Sequence, residues 1–280
     1  MNIKRILSNL KLGKDNIYSG KIINDKQNYE IKIRDKAYDF NNFSKNNLLI
    51  EISKHHSIPV MDKEIVRITQ KLKKNSIILD VGGGWGWHWR NLYLKRPDLT
   101  VIIIDFSKNN LLQAFKILKN YINKSVYLVS GDACQLPFPK NCFDLVWSVG
   151  VFQHIPDFKI AIKESYKVLK KNGIFINYSY NDALFTKLVY KILNKEYIVN
   201  GFKFDGLYLN RASNNQKKII EKIFGTCINE DRYTELLFDI SSKLDTKTRE
   251  YLNNFDSFIS NSLIISRLIA RQRSFEIRKN

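Results

Sequence analysis

The stretch 76–94, SIILDVGGGWGWHWRNLYL, constrains the fold of this chain more than any other part of its sequence. It begins with the β-branched apolar run 77–81, which is typical of a strand buried on both faces of a parallel sheet. Four glycines follow between positions 82 and 86, and the segment after them can be helical. This order predicts the nucleotide-binding turn of a doubly wound fold, because a backbone without Cβ atoms lets a ligand lie directly against it.

The spacing of the glycines narrows the choice of ligand. A dinucleotide fingerprint, G-x-G-x-x-G, would need glycine at position 87, where the chain has Trp87. A P-loop would need Gly-Lys-Ser/Thr after its spacer, and that sequence is absent. The chain instead has Asp80 leading Gly82, Gly84 and Gly86, a pattern that taken alone also fits an ordinary strand-to-helix turn.

Strands and helices alternate along the middle of the chain. Apolar runs predict strands at 77–81, 100–105, 126–129, 142–149 and 174–178, with amphipathic helices between them. Beyond residue 180 we expect helices at 185–193 and 214–224, a loop at 201–209, and short strands within 225–231 and 263–270. The alternation predicts an α/β fold, doubly wound and Rossmann-like, with a mostly parallel seven-stranded sheet and helices on both faces.

Three acidic residues follow three successive predicted strands. They are Asp80, Asp105 and Asp132, each at the carboxyl end of its strand. Any one of them could simply cap the next helix. Because open α/β sheets bind ligands at this edge, three acids in register with the glycine turn predict a binding site there.

Several further motifs resemble those of the class I S-adenosylmethionine-dependent methyltransferases, of the small-molecule type called methyltransferase type 11. The resemblance covers about residues 60–180. It is carried by Asp105 and by the segments 80–86 (DVGGGWG), 131–133 (GDA) with 136–139 (LPFP), 143–148 (FDLVWS), 151–157 (VFQHIPD) and 164–175 (ESYKVLKKNGIF).

This resemblance implies S-adenosylmethionine as the cofactor. Asp105 would accept the ribose hydroxyls, and Asp132 would accept the adenine amine while Ala133 leaves space for the ring. Asp80 would anchor the turn or lie near the cationic methionine end. The full set of predicted cofactor-binding residues is Asp80, Gly82, Gly84, Gly86, Asp105, Asp132, Ala133 and Ser148.

The start of the first helix departs from the family pattern because it is crowded with aromatic residues. Trp87 or Trp89 would pack behind the sheet, whereas Trp85 or His88 could line the cofactor pocket or face the substrate. If these rings filled the pocket, the chain would be a non-catalytic module with a methyltransferase fold. That alternative stays open at this point.

Methyl transfer from a sulfonium is an in-line displacement that depends mainly on positioning. A base is needed only for an acceptor that is protonated in its ground state. His154, in the loop after the fourth strand, is the candidate catalytic residue, although a histidine at a helix entry could instead be held by Asp157 or by the backbone. Tyr178 and Tyr180 could line the acceptor pocket or merely pack.

The sequence favours a small-molecule acceptor, methylated on O, N or C and conceivably linked to a lipid or saccharide. The adenine N6-methyltransferase motif Asp/Asn/Ser-Pro-Pro-aromatic is missing, since 148–152 read SVGVF, and no Pro-Cys pair is present for cytosine C5 chemistry. The net charge of +19 fits an anionic or phosphorylated substrate, or a compositional bias of the source. An RNA or protein methyltransferase using the basic surface is the alternative.

The composition and the order of the motifs also predict the cellular compartment and the domain organisation. Three cysteines at no metal-like spacing predict neither a metal site nor disulfides, and no apolar run could span a membrane, so we expect a cytoplasmic protein. We expect an N-terminal cap over 1–58 and a methyltransferase domain over 59–280, with core motifs at 76–180. An insertion at about 181–213 would enclose the acceptor together with the cap. The basic C-terminal residues could touch phosphates, but we expect a frayed, solvated end; they are Arg267, Arg271, Arg273, Arg278 and Lys279.

Overall fold

The computed structural model describes residues 2–19, 45–202, 207–238, 244–262 and 264–280. Its strands are β1 (Lys11–Leu12), β2 (Ile17–Ser19), β3 (Ile77–Val81), β4 (Thr100–Asp105), β5 (Val126–Ser130), β6 (Phe143–Val149), β7 (Leu169–Tyr180), β8 (Asn200–Phe202), β9 (Tyr208–Asn210), β10 (Glu230–Thr234) and β11 (Gln272–Arg278). β8 and β9 pair as a separate hairpin. Within the described ranges, the other nine strands form one central sheet.

The strand order of the central sheet is β1-β2-β5-β4-β3-β6-β7-β11-β10. Neighbours from β2 through β7 in this order run parallel, whereas β1, β11 and β10 are antiparallel to the strands beside them. The chain passes outward from β3 to β4 and β5 on one side, and to β6 and β7 on the other. The carboxyl end of β3 therefore lies at the topological switch point, where open α/β sheets bind ligands.

Helices cover both faces of the sheet. They are α1 (Ile3–Ile6), α2 (Lys45–Ser53), α3 (Ile58–Gln70), α4 (Leu92–Lys95), α5 (Lys108–Leu118), α6 (Phe158–Val168), α7 (Leu184–Ile192), α8 (Asn214–Phe224), α9 (Thr246–Ile259) and α10 (Ser266–Ile269). Because strand side chains alternate between faces, Leu79 packs with Ile6 and Phe224 in one apolar cluster, whereas Ile78 packs with Met61 in another. The predicted doubly wound, mostly parallel α/β fold is confirmed.

The sheet gains two strands beyond the seven predicted, and both come from the predicted N-terminal cap. Ile17 of β2 pairs in parallel with Leu128 of β5 and is buried, so this segment extends the sheet instead of lying over it. Ile6 and Leu7 are buried against the same sheet. Residues 20–44 of the predicted cap lie outside the described part of the chain.

The C-terminal prediction is wrong in two respects. The strand expected at 263–270 is replaced by α10, and β11 follows at Gln272–Arg278 between β7 and β10. The basic residues there are not frayed. Both ends of the Arg273 guanidinium fork donate to Asp231 on the neighbouring strand at 2.8 Å, and buried Lys279 donates to the carbonyls of Tyr166 and Leu169 at 2.7 and 2.8 Å.

Two smaller differences concern loops. The glycine turn leads into a 3₁₀ turn at Trp87–Trp89 and the single turn of α4, and not into a long helix. The expected loop at 201–209 contributes to the hairpin β8–β9, whose residues 203–206 lie outside the described part of the chain.

A network of charged side chains lies behind the sheet, between α3 and the antiparallel strands. Arg67 of α3 donates to Glu64 at 3.0 Å and to both Glu230 and Glu276 at 2.9 Å. Glu64 is also bonded to Tyr178 and Arg232. Burial raises the pKa of the Glu64 carboxyl, but the charges of Arg67 and Arg232 outweigh burial, so the pKa lies below its ordinary value of 4.5.

Candidate active site

The structure brings the three predicted acids to one edge of the sheet. Asp80 is the last residue but one of β3, Asp105 is the last residue of β4, and Asp132 lies two residues after β5. Each of them is 5% exposed or less. A buried carboxylate needs hydrogen-bond partners, so the contacts of each acid show what it holds in place.

Asp105 connects the glycine turn to the helix that follows β4. Its Oδ2 accepts a hydrogen bond from the Gly84 amide at 3.0 Å, and its Oδ1 accepts one from the Ser107 amide at 2.8 Å. Asn110 also donates to Oδ1 at 3.3 Å. The carboxylate is therefore fixed directly beside the glycine turn.

The three alternate glycines of the turn serve two different purposes. All have positive φ, +67° at Gly82, +52° at Gly84 and +65° at Gly86. A Cβ on Gly82 would lie 2.3 Å from the side chain of Val151, and one on Gly86 would lie 2.8 Å from Leu118, so these two glycines permit close packing. A Cβ on Gly84 would meet nothing nearer than 3.9 Å.

The space beside Gly84 is open enough for a ligand to lie against the backbone of the turn. The Asp105 carboxylate borders it, since its Oδ2 is 4.0 Å from the position that a Gly84 Cβ would take. A side chain at position 84 would enter the space beside this carboxylate. The turn and the acid thus form a cradle that suits a hydroxyl-bearing ligand lying on the backbone.

Asp80 is turned inward, toward the core behind the turn. Its Oδ2 accepts a hydrogen bond from the Trp89 indole at 2.7 Å. Burial raises the pKa of Asp80 to about 7, although the Trp89 hydrogen bond lowers it and the charge of Asp105 raises it again. Of the two roles predicted for Asp80, this geometry supports anchoring of the turn.

The remaining predicted cofactor residues differ in their surroundings. Asp132 accepts a hydrogen bond from the Cys134 amide at 2.7 Å, and Ala133 is half-buried at the same edge. Ser148 is fully buried, and its hydroxyl donates to the Val81 carbonyl at 3.0 Å. Because this hydroxyl lies between β3 and β6, we withdraw the Ser148 side chain from the set of expected cofactor contacts.

The aromatic residues after the turn pack mainly against the core. Trp87 and Trp89 are buried, and Trp89 meets Trp147 edge to face at 6.0 Å. Half-buried Trp85 donates from its indole to Asn110 at 3.0 Å. His88 is stacked on Trp87 at 4.0 Å, and neither of its ring nitrogens has a hydrogen-bond partner among the residues that the structure describes. Burial holds the pKa of His88 well below its ordinary range.

His154 has both ring nitrogens in contact with the protein. Its Nδ1 lies 2.8 Å from the Tyr208 carbonyl oxygen, which can only accept, so Nδ1 carries the proton. Its Nε2 then accepts from the Gln153 amide nitrogen at 3.1 Å. The geometry favours the structural alternative for His154, in which the backbone holds the ring, over the catalytic one.

A different histidine, His56, lies beside Gly150, which directly follows β6. The Cε1 atom of His56 is 3.8 Å from the position that a Cβ on Gly150 would take. Gly150 precedes Val151, whose side chain rests on Gly82. The Nδ1 atom of His56 is 3.8 Å from Glu235 Oε1 and 3.3 Å from the Gln272 amide nitrogen.

Glu235 is held as a fully buried carboxylate. It accepts hydrogen bonds from the Ser57 amide and from Arg271 Nη1, both at 2.7 Å, and its own backbone has a φ of +58°. Burial raises its pKa, but the charge of Arg271 and the nearby His56 lower it below the ordinary value of 4.5. Arg271 also donates to the Tyr180 hydroxyl at 3.2 Å.

Sequence analysis did not find this cluster around His56. Its members come from the segments 55–57, 180, 235 and 271–272, and no spacing along the chain marks them as neighbours. Among the described residues, no group of three or more His, Cys, Asp or Glu side chains is arranged to hold a metal ion. No described helix is long and apolar enough to cross a bilayer.

Comparison with known proteins agrees with this geometry. Residues 79–177 match the family model described as a methyltransferase domain. The chain is 37% identical over 137 residues to a demethylmenaquinone methyltransferase of Staphylococcus carnosus, covering 48% of this chain and 54% of the relative. It is 35% identical over 158 residues to a malonyl-[acyl-carrier protein] O-methyltransferase of Buchnera aphidicola, covering 54% and 59%. The chain thus spans little more than half the length of these relatives.

Solved structures show the same fold at low sequence identity. A phosphoethanolamine N-methyltransferase 2 of Haemonchus contortus, in complex with S-adenosyl-L-methionine, aligns with a TM-score of 0.54 and 20% identity over 78% of this chain and 52% of that one. A SAM-dependent methyltransferase of Aquifex aeolicus aligns with a TM-score of 0.53 and 13% identity over 85% and 100%.

The fold, with a glycine turn at its switch point, defines a doubly wound α/β protein. The matched segment and the relatives show that residues 79–177 resemble the methyltransferase domain of the class I S-adenosylmethionine-dependent methyltransferases. The predicted resemblance is confirmed, and S-adenosylmethionine is the cofactor of the proteins in that class.

Proposed function

We propose that this chain transfers a methyl group from S-adenosylmethionine to a small-molecule acceptor in the cytoplasm. The observation that carries the proposal is the cradle at Gly84, where the turn leaves open space beside the Asp105 carboxylate. Asp105 would hold the ribose, Asp132 with Ala133 would receive the adenine, and Asp80 would anchor the turn. When bound, the cofactor supplies a methyl group already activated by a positively charged sulfur.

The chain's own part in the reaction is to position the acceptor and to exclude water. For an acceptor hydroxyl we propose His56, and not His154, as the residue that accepts the proton. As the base, His56 would carry its own proton on Nδ1, facing buried Glu235, which would stabilise the imidazolium; this requires the Gln272 amide to turn its oxygen toward Nδ1. Nε2, which has no hydrogen bond among the described residues, would then accept the proton. The distance of 3.8 Å fits a contact that tightens when substrate binds.

The choice of a small molecule has two supports. The relatives include methyltransferases named for demethylmenaquinone and for malonyl-[acyl-carrier protein], although the matched part is only about half of each. Tyr180 and Arg271 also border the cluster around His56, and a cation beside an aromatic ring suits an acceptor with anionic or conjugated groups.

The test of the cofactor is isothermal titration of the purified protein with S-adenosylmethionine, with NAD as the control. We expect saturable binding of the first alone, followed by methyl release when candidate acceptors are screened. A folded protein that binds neither compound would exclude the proposed function and favour a non-catalytic module.

Alanine substitution at position 84, compared with the same substitution at position 225, distinguishes a loss of ligand contact from an effect of backbone strain. Gly84→Ala places a Cβ in the cradle, and we expect at least about tenfold weaker S-adenosylmethionine binding. Gly225→Ala is the matched control, because Gly225 also has positive φ, +69°, and open space around it. Both variants should lose about 1 kcal/mol of folding stability. Equal cofactor affinity in the two variants would contradict the cradle.

Replacement of His56 tests the proposed proton acceptor. His56→Gln should lower kcat about a hundredfold for a hydroxyl acceptor, while S-adenosylmethionine binding stays unchanged. His154→Gln is the control and should keep kcat within a few-fold of the unmodified chain. If His154→Gln lowers kcat about a hundredfold and His56→Gln does not, His154 is the base.

A further inference from the structure

Helix α7 differs from the other long helices because none of its nine residues is buried. Leu184, Phe185, Leu188 and Ile192, with Leu193 just after the helix, have between 50% and 82% of their surface exposed. Leu184, Leu188 and Ile192 recur every fourth residue, so they form a stripe along one side of the helix. An exposed stripe of this length marks an interaction surface.

The short helix α10 enlarges this stripe. It packs beside α7, and its residue Leu268, together with Ile264 and Ile265 just before it, is exposed. The Asn181 side chain, between β7 and α7, donates to the carbonyls of Arg267 and Ala270 at 3.1 and 3.0 Å. We call these exposed apolar residues of 184–193 and 264–268 the α7–α10 surface.

The charges beside the surface indicate what covers it. Lys187 and Lys191 lie one turn apart on α7, Lys195 follows the helix, and Arg267 belongs to α10. No acidic residue occurs within 184–195 or 264–275. The nearest acids along the α7 segment are Asp182 before the helix and Glu196 after Lys195, so the cations within the segment exceed the acids that border it. An apolar stripe bordered mainly by cations complements a partner that is apolar inside and negative at its rim. The surface of an anionic bilayer has this structure.

We propose that the α7–α10 surface docks this protein onto an anionic lipid bilayer. Three residues separate the end of β7 from the start of α7, at the sheet edge that carries Asp80 and Asp105. Docking would therefore turn the acceptor side of the site toward the membrane. The corollary that an apolar acceptor reaches the site from the bilayer rests on the proposed function, whereas docking itself does not.

The experiment is co-sedimentation of the full chain with vesicles. We expect binding to mixed phosphatidylglycerol and phosphatidylcholine vesicles, little binding to phosphatidylcholine alone, and a loss of binding at high salt. Ile192→Asp combined with Leu188→Asp should weaken binding at least about tenfold. Leu94→Asp is the matched control, because Leu94 and Ile192 are both 82% exposed.

The charges are tested separately. Lys187→Glu with Lys191→Glu should weaken binding to the anionic vesicles, whereas Lys163→Glu, at an exposed position on the outer side of α6, should not. Equal binding by all variants, or no binding by the unmodified chain, would overturn the proposal. So would a dimer, seen by light scattering, that the α7 aspartates dissociate. Because sedimentation needs no turnover, its result is independent of whether titration finds S-adenosylmethionine binding.

Discussion

Asp105→Ala should weaken S-adenosylmethionine binding about a hundredfold, as measured by isothermal titration. The carboxylate would accept the two ribose hydroxyls, and hydrogen bonds to a charged group contribute about 1.5–3 kcal/mol each. Asp105 also accepts from the Gly84 amide, so the variant loosens the turn that forms the rest of the cradle. Both effects act in the same direction on affinity.

Asp144→Ala is the control for this variant. Asp144 also accepts a backbone hydrogen bond, from the Ile77 amide at 2.8 Å, but at the opposite end of β3. We expect both variants to unfold at lower temperature than the unmodified chain and only Asp105→Ala to lose cofactor affinity. If Asp105→Ala bound S-adenosylmethionine as tightly as Asp144→Ala does, Asp105 would not be the ribose ligand.

Arg67→Met should lower the free energy of unfolding by about 3 kcal/mol at neutral pH, as measured by urea denaturation. The substitution keeps much of the side-chain volume but removes one cation from three carboxylates, of which Glu64 and Glu276 are buried. Lys108→Met is the control. Its pair with Asp15 is largely exposed, so its loss should cost less than about 1 kcal/mol.

The pH dependence of the stability lost in Arg67→Met gives an independent check. The pKa of Glu64 lies below 4.5 in the folded chain, so its stabilising contribution is complete above the pKa of the unfolded state and is lost as pH falls through the folded value. The difference in the free energy of unfolding between Arg67→Met and the unmodified chain should therefore become smaller below about pH 4.5. A gap that stays constant down to acid pH would show that packing, and not charge, is responsible.

Local patterns in the sequence were sufficient for strands β3 to β7 of the sheet and for part of the site. A β-branched run, a glycine turn and an acid at the end of β4 are all encoded within about 30 residues. Their geometry depends little on the rest of the chain. The parallel core and the meeting of Asp80 with Asp105 could therefore be predicted.

Features assembled from distant segments could not be predicted in the same way. His56 and Glu235 lie together only because the segment before α3 contacts the residue that follows β10, and 178 positions separate Ser57 from the carboxylate that holds it. The basic C-terminal segment was misread because charge was taken as a sign of exposure. Its Arg273 is buried with Asp231, a partner that the sequence does not mark.

The position of β11 has a consequence for the order of synthesis. β7 is completed by residue 180, but its neighbour in the sheet, β11, begins at residue 272. A nascent chain that has emerged only as far as β10 presents β7 as a bare edge, open to pairing with other chains. The sheet is complete only after β11 has left the ribosome. Until then the edge of β7 is unpaired, and the partly folded chain is prone to aggregation.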